Sequence, residues 1–289
     1  MKPLSPFFLL LPLLIIILFS TDTFSSSSQH SLSSPSSLST FSPSPSPAVF
    51  TEANEDNRYK YRVYTTYILA IQYPKNLCAH AWETKRCDIN YKIDLPNAFT
   101  IHGLWPDNPI NHLPKPPVVQ FEVDQIHNDI RLRDGLYEHW IDAYFNYQGG
   151  PNKETSKHIK AEAFWFEEWK KHGTYSGLNT HEYFRLALDL FLNLGDVIGH
   201  FKARHLIVPK PQGGFAINVT KAHMALKEVL GVDTFLKCQQ NAIMQEEFYE
   251  IEILYDKATL RRLDHGSFIG NHPHNCGIEI VDLDIDTNI

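Results

Sequence analysis

Apolar and polar positions follow two periods along the chain, and the change from one to the other marks the elements. "YRVYTTYILAIQY" (Tyr61 to Tyr73) is dense in β-branched and aromatic residues and stops at Pro74, which predicts a strand. "AFTIHGLW" (Ala98 to Trp105) predicts a second, ended by Pro106. "FYEIEILY" (Phe248 to Tyr255) alternates cleanly, and "GIEIVDLD" after Cys276 predicts a last strand. Helical spacing fills the interval. It runs over Asp124 to Phe145, then, after the turn "QGGPN" (Gln148 to Asn152), through "FWFEEWKKHGTY" (Phe164 to Tyr175) with Gly173 as a left-handed cap. Thr180 to Ile198 follows with Thr180 as N-cap, and Thr220 to Leu230 is closed by Gly231. Strands at both ends with helices between them predict an α+β fold, a mainly antiparallel sheet with packed helices.

The N-terminus lies outside this pattern. Residues 1–20 hold one basic residue, Lys2, and an apolar run from Phe7 to Phe19 that is short for a membrane span. They read as a secretory signal peptide, with an uncleaved anchor as the alternative. Residues 21–57 are mostly Ser, Thr and Pro, too poor in apolar groups to offset chain entropy, and are expected to be disordered. That leaves 58–289 as one domain, bound for the extracellular space or the vacuole.

Composition narrows the function. The net charge is -7, which argues against stable packaging of DNA or RNA but permits brief contact at a local basic site. Four cysteines, Cys78, Cys87, Cys238 and Cys276, behind a signal peptide suggest two disulfides with three possible connectivities. None has zinc-site spacing, so neither a metal nor a cofactor is expected. Asn218 begins the one glycosylation sequon, Asn218-Val219-Thr220.

Two segments carry candidate chemistry. On an ideal strand, Thr100, His102 and Leu104 share one face, and Phe99, Ile101 and Trp105 the other. His102 thus sits in an apolar strand beside Gly103, which leaves room for something to approach. Alone, such a histidine is more often a bonded core residue. On the helix, Ala161, Phe164, Trp165, Glu168 and His172 form one stripe, with Lys171 beside it. Glu167 and Lys170 suit a solvated face. Glu168 and His172 do not, because charge turned inwards is costly unless it serves a partner or a ligand. Two histidines, a lysine and a glutamate without a metal suit RNA cleavage by its own 2′-hydroxyl. One imidazole takes the hydroxyl proton, the other protonates the departing 5′-oxygen, and the lysine balances charge on the phosphoryl oxygens. DNA lacks the hydroxyl and could not react.

"FTIHGLWPDN" and "FWFEEWKKHGTY" resemble the two conserved active-site segments of the ribonuclease T2 family, of the plant S-ribonuclease and S-like type. The likeness extends through "AIQYPKNLC", "YFRLALDLFLNL", "VTKAHMALKEVLGVDTFLKC" and "FYEIEILYD", from about Tyr61 to Ile280. It implies the family's α+β fold and a secreted, monomeric, metal-independent endoribonuclease that makes 2′,3′-cyclic phosphates, with RNA as its partner. It carries the acid/base roles to His102 and His172, transition-state stabilisation to Glu168 and Lys171, and base holding to Trp105 and Asp107. It implies the pairs Cys78–Cys87 and Cys238–Cys276, because Phe145, Tyr175, Tyr255 and the region near Phe268 stand where the family has further cysteines. One departure bears on chemistry. Glu167 replaces a family histidine, which predicts weaker phosphate binding, a raised Glu168 or a lower optimum pH. A catalytically weak or inactive storage, defence or recognition protein is the competing expectation.

Overall fold

A computed structural model describes residues 64–78, 94–108, 119–144, 152–211, 213–240, 245–265 and 275–285, all within one compact unit, Glu52–Ile289. The elements in chain order are β1 (Thr66–Gln72), α1 (Pro74–Cys78), β2 (Thr100–Asp107), α2 (Val123–His127), α3 (Ile130–His139) and α4 (Lys153–Lys171). There follow a 3-10 turn (Gly173–Tyr175), α5 (Thr180–Leu192), α6 (Val197–Ala203), β3 (Ile207–Pro209), β4 (Phe215–Asn218) and α7 (Val219–Leu230). The chain then forms β5 (Phe235–Gln240), β6 (Glu246–Asp256), β7 (Arg262–Leu263) and β8 (Ile280–Leu283). Among the described residues one sheet runs β2-β1-β6-β8-β4-β3, with β5 and β7 also paired to β6. Every pairing is antiparallel except β6 with β8. The expected α+β class and the strand-rich ends hold.

Alternation divides the sheet. Leu69, Ile71, Ile101, Leu104, Ile251 and Ile253 are fully buried and pack with Trp140, Trp165, Tyr183 and Phe184 of the helical layer. Gln72, Glu250 and Lys237 are aligned across three strands, and Ala70 and Glu252 across two of them, so these side chains share the other face. One face is therefore apolar core, and the other carries charge.

Three helix boundaries differ from expectation, each for a local reason. The segment from Asp124 divides because the Asp129 side chain accepts from Leu132 N and starts α3 afresh. The helix after Thr180 is capped by Asn179, in a capping box with Glu182, and ends before Gly195, whose φ of 70° breaks it. Asp196 then caps α6. Gly173 is not a left-handed cap: it opens the 3-10 turn, and a side chain there would strike the Trp169 indole. Gly231, with φ 78°, closes α7 as expected.

Pro106 does not stop β2. It pairs with Tyr67, and β2 is the edge strand of the described sheet, where a missing N–H is tolerated. The outward carbonyls of that edge are not left bare. Trp140 Nε1 donates to His102 O at 3.0 Å and the Tyr183 hydroxyl to Leu104 O at 2.7 Å. Buried carbonyls need such partners, so two core aromatics clamp this edge to the helices. At the far end, Arg262 donates to Leu230 O and Asn193 O, capping α7 and α5 together.

Cys238 and Cys276 form the expected disulfide; a 38-residue closure of this kind contributes about 3–4 kcal/mol through chain entropy. Cys87, Phe145 and Phe268 lie outside the described residues, as do residues 1–20, expected to be a signal peptide, and the Ser/Pro-rich residues 21–57. Tyr175 is half-buried in the 3-10 turn and Tyr255 is buried in the core. Asn218 caps α7 through Lys221 N, and its amide donates to Glu279, so the sequon side chain already holds the strand–helix junction. No helix among the described residues is long and apolar enough to cross a membrane.

Candidate active site

His102 reaches the charged face of the sheet through a backbone irregularity. Ala70 pairs with Gly103 and Ile71 with Ile101, which leaves His102 as the extra residue of a β-bulge. A bulge turns its residue off the regular alternation. The ring of His102 consequently lies 5.2 Å from that of Trp105, although an ideal strand would part them. This corrects the face assignment made from alternation.

The α4 stripe behaves as its spacing predicts. Ala161 and Trp165 are buried, and Glu168 is buried too, at 2% exposure. The helix ends at Lys171, and His172 is its C-cap, with His172 N donating to Glu168 O at 2.9 Å. The Trp105 indole joins strand and helix. Its Nε1 donates to Glu168 Oε2 at 3.1 Å, and its ring lies 5.1 Å from that of His172. Gly103 makes the approach possible, because a β-carbon there would fall 2.5 Å from Glu168 Oε2 and collide with the indole.

Around Trp105, then, stand both histidines and Glu168. Lys171 Nζ is 3.8 Å from Glu168 Oε1 but remains 58% exposed, a cation free to meet a ligand. Each imidazole keeps 31% of its side-chain surface open, enough to be reached. Asp107 ends β2, where its backbone carbonyl accepts from Thr65 and Thr66; its side chain is half-buried. Glu167, one residue before Glu168, is 48% exposed and lies 3.8 Å from Lys170.

Alternation offered no reason to single out three further residues. Glu250 Oε2 lies 2.5 Å from His102 Nδ1, Glu250 Oε1 accepts from Lys237 Nζ at 2.8 Å, and Lys237 also pairs with Glu252. Glu250 and Glu252 in "FYEIEILY" read as the solvent side of a strand. Their one signal was Lys237 on the neighbouring strand "FLKCQQ", the cation that two inward carboxylates require.

These surroundings drive the two imidazoles apart. For His172, burial leads, with His102 and Lys171 adding like charge, and its pKa falls from 6.5 to about 4. For His102, burial works in the same direction but is outweighed by the Glu250 hydrogen bond and by the charges of Glu250 and Glu168, so its pKa is raised. Burial raises Glu168, against the pull of His102, Trp105 and Lys171. The nearby carboxylate contributing to that rise is Glu250, where the sequence had suggested Glu167. Burial opposes ionisation of Glu250, yet His102 and Lys237 hold its carboxyl below the usual range. Between about pH 4 and a point above 6.5 the site therefore holds one neutral and one protonated imidazole, which can take a proton on one side and give one on the other. No group of three or more His, Cys, Asp or Glu among the described residues could hold a metal ion.

The model of the Ribonuclease T2 family matches residues 64–267. Intracellular ribonuclease LX of Solanum lycopersicum is 25% identical over 213 residues, 72% of this chain and 82% of that protein. Ribonuclease Oy of Magallana gigas is 30% identical over 199 residues, 66% of this chain and 83% of that one. Among solved structures, ribonuclease MC1 from the seeds of bitter gourd superposes with a TM-score of 0.58 at 22% identity, covering 76% of this chain and 100% of that chain. A mutant of that ribonuclease has been solved in complex with 5′-GMP.

Proposed function

The chain belongs to the ribonuclease T2 family, and from that premise we propose that it is a secreted, metal-independent endoribonuclease cleaving single-stranded RNA through 2′,3′-cyclic phosphates. Family membership supports ribonuclease activity in general. The finer reading rests on the opposed proton affinities of His102 and His172 against a single indole.

Neutral His172 accepts the 2′-hydroxyl proton, and O2′ attacks the adjacent phosphorus. The bond to the 5′-oxygen breaks as that oxygen takes the proton of His102. Lys171 faces the charge that builds on the non-bridging oxygens, in a site whose partial burial strengthens the interaction. Glu168, buried and bonded to the indole, keeps Trp105, Lys171 and His172 in register. The products are a 2′,3′-cyclic phosphate and a free 5′-hydroxyl, with His172 now protonated and His102 neutral. Water can then open the cyclic ester with the two roles exchanged. Trp105 serves first as the spacer between the imidazoles, and with Asp107 it borders the place where a base would lie.

The test is digestion of RNA in EDTA across pH 4 to 8 with identification of the termini. Cyclic 2′,3′-phosphates, with an acid limb near pH 4 from His172 and an alkaline limb above 6.5 from His102, are expected. Intact RNA at every pH, from protein shown to be folded, would leave a fold that has lost its chemistry.

Glu167 bears on affinity. Half-exposed beside the site, it repels a phosphodiester through solvent, so Glu167→His should tighten RNA binding roughly three- to tenfold at low salt and much less at high salt. Fluorescence anisotropy with a short, uncleavable 2′-deoxy oligonucleotide reads this directly. An unchanged Kd at low salt would put Glu167 outside the path of the phosphate.

A further inference from the structure

We propose that Glu250 is a positioning residue for His102. Anchored by Lys237, it fixes the imidazole with Nδ1–H directed at the carboxylate and Nε2 turned towards the substrate. The inference rests on the reading of His102 as the proton donor.

Three observations carry it. First, the Glu250 side chain is 2% exposed and spends both oxygens, Oε2 on His102 Nδ1 at 2.5 Å and Oε1 on Lys237 Nζ at 2.8 Å. A carboxylate with both ends engaged sets a direction for the ring. Second, the bulge leaves His102 outside the regular pairing of β1 and β2, so the ladder alone does not determine where its ring points. Glu250 supplies the missing constraint from β6. Third, the local charge does not balance without the histidine. Glu250 and Glu252 face one lysine, Lys237, and an unpaired carboxylate in this burial is costly. A proton on His102 closes the deficit. Among the described residues, the other titratable groups facing His102 are Glu168 of α4 and its C-cap His172, Lys237 of β5 and Glu252 of β6.

A carboxylate that served only to pair Lys237 within the sheet would leave the tautomer and titration of His102 indifferent to it. The experiment is 15N and 1H NMR of histidine-labelled full-length mature protein. In the wild type at high pH, neutral His102 should carry its proton on Nδ1; an Nε2–H tautomer would overturn the proposal without any mutation. Glu250→Gln, nearly isosteric, should lower the His102 midpoint by about 1–2 pH units and move the alkaline limb of kcat/KM by the same amount. Lys237→Met removes the competing cation and should shift the midpoint upward. Opposite shifts in the two variants are the signature; no shift in Glu250→Gln, or in Lys237→Met should the first fail to fold, refutes the role. Because the titrations need no substrate, they stand apart from the proposed function. Correct titrations from a protein that cleaves no RNA would retain Glu250 and discard the ribonuclease.

Discussion

His172→Ala should lower kcat/KM for RNA cleavage by about 10²–10⁴-fold, the range in which positioned proton transfer contributes. The reason is specific to this residue. At the C-cap of α4 its ring lies against Trp105 and near Lys171, where burial and like charge keep it neutral down to about pH 4. Among the described residues, no other neutral base lies near the indole to replace it. Glu168 is buried, and its oxygens already serve Trp105 and lie near Lys171. His102 is protonated in the same window.

A second readout does not involve catalysis. His172 binds its proton more weakly in the fold than in the unfolded chain, so between about pH 4 and 6.5 the unfolded state holds more protons and folding stability rises with pH. The stabilising difference is complete above 6.5 and lost as pH falls through about 4. His102, raised, contributes the opposite slope above 6.5. Denaturant titrations of wild type and His172→Ala should therefore differ in slope across pH 4 to 6.5, the variant being flatter. A variant that cleaves RNA at the wild-type rate would remove His172 from the mechanism. A lost rate with an unchanged stability slope would place its ordinary pKa near 6.5 and move the acid limb upward.

The two halves of the site differed in how plainly they could be read. The α4 half was legible because Ala161, Trp165 and Glu168 recur at the period that buries a helix face, and a carboxylate in such a stripe has no bland explanation. The β2 half was legible only as residue identity. A bulge leaves no compositional trace, so alternation set His102 and Trp105 on opposite faces when their rings in fact meet. Pro106 read as a stop because the pattern cannot say that β2 is an edge. Glu250, Glu252 and Lys237 escaped notice for a related reason. In one strand, polar residues at every second position look solvated, and only the pairing of β6 with β1 and β5 shows that they are enclosed. Periodicity within an element survives in the sequence, whereas register between elements does not.

Gly103→Ala tests that register, and it should reduce kcat/KM by about 10²-fold without altering any group that handles a proton. Backbone conformation is not the obstacle, since Gly103 is not among the residues with positive φ. Space is. The added methyl would fall 2.5 Å from Glu168 Oε2 and collide with the Trp105 indole, between two partners that hydrogen-bond each other at 3.1 Å. One must retreat. Trp105 is flanked by His102 and His172 and has the Lys237 ammonium 5.4 Å from its ring, so moving it misplaces both imidazoles. Moving Glu168 instead withdraws the carboxylate near Lys171 and His172. Overpacking of this kind also costs about 1–3 kcal/mol of stability, so a crowded control is needed. Gly135→Ala provides one: its methyl would meet the Leu188 Cδ2 at 2.7 Å in the α3–α5 core, outside the site. Both variants should change Tm, but only Gly103→Ala should lose the chemical step in single-turnover cleavage. Equal kcat/KM in the two would show that the indole tolerates displacement, and that the contact between β2 and α4 stabilises the fold without setting the geometry of proton transfer.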